Sequence, residues 1–149
     1  MRVFCDTSVL VASVLKTHPR HLESRVPIDR IRAGVDAGFA SAHTLAETFS
    51  VLSRLPTKPK LDPESVLDII ETDFLPHLSF IGVPAIDYPI AIRDLVVRGM
   101  GGGRIYDLLH LRVAARLALD RIYTLNETEW KLLSPELAPL ICVPPLPTE

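Results

Sequence analysis

The chain has 149 residues, is 48% hydrophobic and 23% charged, and carries a formal net charge of −2. That length suits one core and is short for two ordinary domains, so a single domain over residues 1–149 is expected. The near-neutral balance excludes a protein that grips nucleic acid by bulk electrostatics alone, although sixteen Lys and Arg leave room for a local basic patch.

Arg2 to Asp6 is short, β-branched and aromatic, and reads as the first strand. Thr7 or Ser8 then caps a helix through Lys16. His18 to Pro27 mixes charge, histidine and two prolines, and predicts an exposed loop or a short broken helix. Helical spacing returns at Ile28, Ile31 and Val35 and stops at Gly38. Phe39 to Ala42 follows as a strand, and His43 to Leu55 as a helix ending against Pro56.

Thr57 to Pro63 is a polar turn holding Lys58 and Lys60, both read as solvated. Asp62 caps the next helix with Pro63 at its first position, and that helix runs to about Leu75. Leu78 to Val83 is a third strand and Asp87 to Arg98 a helix, broken by Gly99 to Gly103. Ile105 to Leu119 is a strongly apolar helix, Arg121 to Leu125 a fourth strand and Asn126 to Leu133 a short helix. Leu140 to Val143 makes a fifth strand before a frayed end in Pro144 to Glu149. Strands separated by helical crossovers pair in parallel, which predicts a three-layer α/β/α sandwich around a central, mostly parallel sheet of about five strands.

The two cysteines, Cys5 and Cys142, lie inside apolar runs with no zinc-like spacing, and read as small core residues of a reduced, cytoplasmic protein. The first residues lack a signal-peptide pattern, and no apolar run is long enough to span a membrane.

Three acids stand in unexpectedly apolar settings. Asp6 closes the first strand, Glu47 lies early in the helix after the second, and Asp107 stands in the first turn of the most apolar helix. Asn126 leaves the fourth strand much as Asp6 leaves the first. Parallel topology brings such positions to one edge of the sheet, where ligands of open α/β folds collect. Taken singly, Glu47 also fits a solvated acid at a helix start, and Asn126 a plain cap. Together, clustered carboxylates require a cation to stay ionised, and oxygen ligands without a Cys or His set select Mg²⁺ or Mn²⁺. Such a site suits phosphodiester hydrolysis, by Lewis-acid catalysis and activation of water.

The stretches Asp6-Thr-Ser-Val-Leu-Val-Ala12, Leu45-Ala-Glu-Thr48, Tyr106-Asp-Leu-Leu-His-Leu111 and Tyr123-Thr-Leu-Asn-Glu-Thr-Glu-Trp130 occur in that order. In them the chain resembles the PIN-domain ribonucleases, and more narrowly the VapC-type toxins of bacterial toxin–antitoxin pairs. The resemblance spans essentially the whole chain. It implies a PIN-like fold, a metal-dependent endoribonuclease acting on RNA, a small antitoxin partner and a homodimer. Its acidic positions fall on Asp6, Glu47 and Asp107, all three then metal-binding, and its fourth position on Asn126. The Thr of the late strand falls on Thr124 and the early hydroxyl on Ser8. An amide at Asn126 removes one ligand charge from the four-carboxylate pattern, which argues against a tightly held second metal.

Arg104, beside the glycine run, is a candidate phosphate contact or a plain surface charge. His110 shares a helix face with Asp107 and could touch the site, although a core or wall histidine is the preferred reading. The glycine run follows a helix and lacks a terminal Gly-Lys-Ser/Thr, so it is no phosphate loop. The leading reading is an enzyme. A PIN nuclease that is no toxin, or an RNA- or partner-binding module without turnover, is the alternative. A phosphoacceptor domain would need an acidic pair at the first strand and a late Lys, and a haloacid-dehalogenase-type phosphatase an Asp where Ser8 stands; both are set aside.

Overall fold

Val3, Phe4 and Cys5 are all fully buried, although alternate residues of a strand point to opposite faces. Burial on both faces is the condition of a central parallel strand. The computed structural model, which describes residues 1–147, places this segment, β1 (Arg2–Cys5), in the middle of a five-stranded, all-parallel sheet. Its other strands are β2 (Ala37–Ser41), β3 (Leu78–Ile81), β4 (Arg121–Tyr123) and β5 (Ile141–Cys142), in the order β3-β2-β1-β4-β5.

Val3 and Cys5 look into a core built with α1 (Thr7–Val14), α2 (His21–Arg32), α3 (Ala42–Arg54) and α4 (Pro63–Ile69), which continues as a π-helical turn over Ile70–Phe74. Phe4 looks the other way, into a core built with α5 (Asp87–Val97), α6 (Arg104–Ala114) and α7 (Glu127–Leu133). The result is the expected three-layer sandwich. The chain walks outward from β1 to β3, then crosses back so that β4 lies beside β1 on its other side. The strand order therefore reverses between β1 and β4, and the crevice at their carboxyl ends is the natural ligand position of such a sheet. Among the described residues no helix is long and apolar enough to cross a membrane.

The Asp62-Pro63 start signal holds: Asp62 Oδ1 accepts the Ser65 N–H at 2.7 Å. Three expectations need correction. The segment around Pro27 is one continuous helix rather than a loop or a short broken helix, with Ser24, Pro27, Ile28 and Ile31 buried along a single face. Packing of that face outweighs the missing N–H of proline. The same helix ends at Arg32 rather than near Gly38, because Gly34 adopts a positive φ of 69° and turns the chain into β2. Helix α6 stops at Ala114, not Leu119; the remaining apolar residues form the turn that returns the chain to β4, where Arg2 N–H bonds Asp120 Oδ2 at 2.7 Å. The frayed end is irregular through Pro147, and its last two residues lie outside the described ones.

Two glycines answer to geometry. A Cβ on Gly38 would lie 2.7 Å from both Ile31 Cδ1 and Leu78 Cδ2, so α2 seats on β2 only because no side chain intervenes. Gly102, with φ of 69°, makes the tight turn that begins α6 and aims Asp107 at the sheet edge.

Helices α5 and α6 are joined by a buried charge. Asp87 is fully buried and accepts from Arg112 Nη2 at 2.9 Å and from the Arg116 guanidinium. The Arg116 bond, reinforced by Arg112, outweighs burial and lowers its carboxyl to about 2. A depressed carboxylate contributes stability above its unfolded pKa and loses it as pH falls through the folded value. Asp87→Asn is therefore expected to destabilise the protein at pH 7 by about 1.5–3 kcal/mol, the range for hydrogen bonds to a charged group. Urea unfolding against pH should show the gap between wild type and variant closing between about pH 4 and about pH 2.

Candidate active site

Asp6 follows β1 directly and occupies the N-cap position of α1, at the point where the strand order reverses. Its carboxylate makes no capping bond. Instead Asp6 Oδ2 accepts from Ser8 Oγ at 2.7 Å and from Thr124 Oγ1 at 2.8 Å. Each hydroxyl also accepts a backbone N–H of the loop after β4, Leu125 to Ser8 and Asn126 to Thr124, both at 3.0 Å. Two hydroxyls thus staple the end of β4 to the end of β1 through one carboxylate.

Glu47 projects from the second turn of α3 towards the same edge. Its Oε2 accepts from Thr7 Oγ1 at 2.6 Å and from His110 Nε2 at 2.8 Å, while His43 Nε2 lies 3.7 Å from Oε1. A carboxylate only accepts, so His110 Nε2 carries the hydrogen; Nδ1 of a neutral ring then accepts from Ser41 Oγ, 2.6 Å away. Neighbouring residues Thr7 and Ser8 therefore serve different acids, one each.

Asp107, in the first turn of α6, is half-buried, and its Oδ1 accepts the indole N–H of Trp130 at 3.1 Å. Trp130 is fully buried and stacks near His110, with centroids 6.2 Å apart and planes at 19°. Asp6, Ser8, Glu47, Asp107 and Asn126 line one open cavity of about 1000 Å³, joined by His43 and Tyr106 on one side and by His18, Arg20 and Arg54 on another.

The charges feel one another. Burial pushes the Asp6 carboxyl up, against its bonds to Ser8 and Thr124. Burial, and then the charge of Asp6, raise Asp107 to about 6, with Glu47 adding to the repulsion. Glu47 is also raised by burial, but its bonds to His110 and Thr7 outweigh this and leave it below the usual carboxylate range. A positive charge placed among them relieves the repulsion.

The cavity brings together Asp6, Ser8, Glu47, Asp107 and Asn126, with Thr124 buried directly beneath. Asn126 makes no side-chain capping bond, so its amide is not consumed by the start of α7. Arg104 is elsewhere: its guanidinium is tied to Glu129 and does not line the cavity, which fits the plain surface charge among its two readings. The pairing follows from α6 and α7 lying side by side. His110 is buried at 1% exposure, as a wall residue should be, yet it also holds Glu47; its place three residues after Asp107 was the available signal. Thr7, Ser41 and Trp130 had no such signal, because their partners lie 40, 69 and 23 residues away.

Among the described residues no three His, Cys, Asp or Glu side chains are drawn together into a ready ligand set. The donors still fit a hard cation that keeps several waters and takes one or two carboxylates directly. Asp6 and Asp107 place carboxylate oxygens in the same cavity, and the repulsion between them is the feature a cation would offset.

A family model for the PIN domain matches residues 3–131. No curated protein matches the sequence significantly. Among solved structures, the chain is similar to Mycobacterium tuberculosis VapC20, a Sarcin-Ricin loop cleaving toxin, at 18% identity and a TM-score of 0.66, over 85% of this chain and 92% of that one. It is also similar to VapBC2 of Rickettsia felis bound to a DNA fragment from their promoter, at 24% identity and a TM-score of 0.60, over 89% of this chain and 92% of that one. At these identities the likeness speaks to the fold.

A carboxyl raised by its surroundings weakens the fold when ionised. In metal-free protein, Asp107→Asn should therefore raise stability by about 1–3 kcal/mol above pH 6, since each tenfold change in a group's proton affinity on folding is worth about 1.4 kcal/mol. The gain should fade as pH drops from about 6 towards 3.8, where folded and unfolded states are both protonated. Urea titrations in EDTA at pH 7.5 and pH 4.5 check this; a gain of equal size at both would refute the raised carboxyl.

Proposed function

The chain belongs to the PIN domain family, and from that premise we propose that it is a Mg²⁺- or Mn²⁺-dependent endoribonuclease, the toxin of a toxin–antitoxin pair. One observation carries this reading: Asp6 and Asp107 share a water-accessible cavity at the strand-order reversal, with Glu47 fixed beside them. The similarity to a toxin that cleaves the Sarcin-Ricin loop, and to VapBC2, supports the toxin role and an antitoxin partner. A homodimer of single-domain chains is supported by apolar side chains standing free on α5, with Ile92 at 53%, Val96 at 70% and Val97 at 86% exposure.

Asp6 and Asp107 would hold the ion. When bound, it supplies Lewis acidity towards a phosphate oxygen and lowers the pKa of water. The rest belongs to the chain. Ser8 and Thr124 fix the plane of the Asp6 carboxylate. His110 and Thr7 occupy Glu47 Oε2 and leave Oε1 to accept a hydrogen bond from water in the cavity. Asn126 offers an amide donor and acceptor without adding negative charge against the phosphate. No histidine base is required: His110 is a positioning residue for Glu47.

Asp107→Asn keeps nearly the same shape and removes the charge. It should fold, and lose RNA cleavage by at least about 100-fold, the scale of removing one electrostatic stabiliser. His110→Ala should lose less, because Thr7 still holds Glu47. The measurement is cleavage of total RNA with Mg²⁺ and with EDTA, with circular dichroism on each variant. Cleavage by wild type in EDTA, or by Asp107→Asn at the wild-type rate, would remove the metal mechanism. Binding of RNA without any cleavage would leave a silent RNA-binding module instead.

A further inference from the structure

The face of α3 that carries Glu47 carries other groups in register. His43, Glu47, Val51 and Arg54 recur at helical spacing and all line the cavity, with Ser50 between the last two turns. From His43 to Arg54 the row is about 16 Å long, at 1.5 Å of rise per residue. At one end the His43 imidazole lies flat against the Tyr106 ring, with centroids 5.2 Å apart and planes at 8°. The stack covers one face of Tyr106, yet the residue stays 47% exposed. At the other end Arg54 is anchored by its Nε to the Ser50 carbonyl at 3.0 Å, and its terminal nitrogens have no protein acceptor among the described residues. Arg20, also at the rim, is partly engaged by Glu23.

These ends lie on either side of Glu47 along α3, and they differ in kind. A flat, half-exposed aromatic pair offers a stacking surface to a nucleobase. A fixed guanidinium with free donors offers a fork to a backbone phosphate. The same cavity holds the carboxylates that would bind the cation. We propose that α3 is a substrate track: Tyr106, backed by His43, stacks a splayed-out base on one side of the scissile phosphate, and Arg54 holds a backbone phosphate on the other. Only an unpaired nucleotide can turn a base face towards Tyr106, so this contact needs a base free of pairing beside the cut. Tyr106 and Arg54 are then the binding residues that decide where the chain is cut. This inference rests on the nuclease reading given above.

The test begins with wild-type protein, Mg²⁺ and total RNA, with cleavage sites mapped by sequencing new 5′ ends. Sites should fall in unpaired segments. An oligoribonucleotide spanning the strongest site then serves as substrate, alone and annealed to its complement. Cleavage should be confined to the unannealed form. Tyr106→Ala should raise KM by about 5- to 100-fold, the scale of one lost base–aromatic stack, and act on KM rather than kcat. Tyr106→Phe should restore KM, since the ring and not the hydroxyl supplies the surface. Arg54→Ala should weaken binding at low salt and reduce the log–log salt slope by about 0.7, as expected for one phosphate contact on a single strand. Equal cleavage of the annealed form, or an unchanged KM in Tyr106→Ala, would overturn the track while leaving the nuclease intact. No cleavage of any RNA by wild type would remove the nuclease reading, and the track with it.

Discussion

A carboxylate at the end of the central strand governs this structure. Asp6 is 5% exposed and stands where the sheet reverses its order, beside two further acids. An ion so placed is costly unless hydrogen bonds replace the water it has lost. Ser8 and Thr124 provide them, and in doing so they fix more than the acid. Ser8 holds the loop after β4 through Leu125, and Thr124 holds it through Asn126. Local hydrogen bonding, helix start and inter-strand geometry all follow from satisfying one side chain.

The neighbouring acids are treated by the same logic but to different ends. Glu47 receives a hydroxyl and an imidazole on one oxygen, and its carboxyl falls below the usual range despite burial. Asp107 receives a single indole N–H and is raised to about 6 by burial and by Asp6. One acid is kept ionised by the protein itself, whereas the other is left poorly compensated. A positive charge entering the cavity would relieve that imbalance. It sets this cluster apart from Asp87, where two arginines on or just past α6 complete the neutralisation and the group is purely structural.

Much of this was legible in the residues. The strands announced themselves by short β-branched runs, and α4 by Asp62-Pro63, because those signals are local. The acids were conspicuous for the opposite reason: a charge among Leu and Val has no local excuse. What could not be read were relations settled by packing. Helix α2 runs through Pro27 because Ser24, Ile28 and Ile31 bury one face with it. Arg104 turned to Glu129, a neighbour created only when α6 and α7 pack together. Ser41 has the credentials of an N-cap, yet its hydroxyl meets His110 and the Thr44 hydroxyl instead of a backbone N–H of the helix it precedes. Hydroxyls are ambiguous in sequence because the same group serves a cap or a distant partner equally well.

Trp130 brings one last consequence. It is the chain's single tryptophan, it is wholly buried, and its indole N–H bonds Asp107, the acid raised to about 6. Its ring also lies beside the imidazole that steadies Glu47. The indole is thus an optical antenna wired to the carboxylate pocket. Its emission is expected to shift when the charge on Asp107 changes, an optical signal from inside the fold that needs no added label.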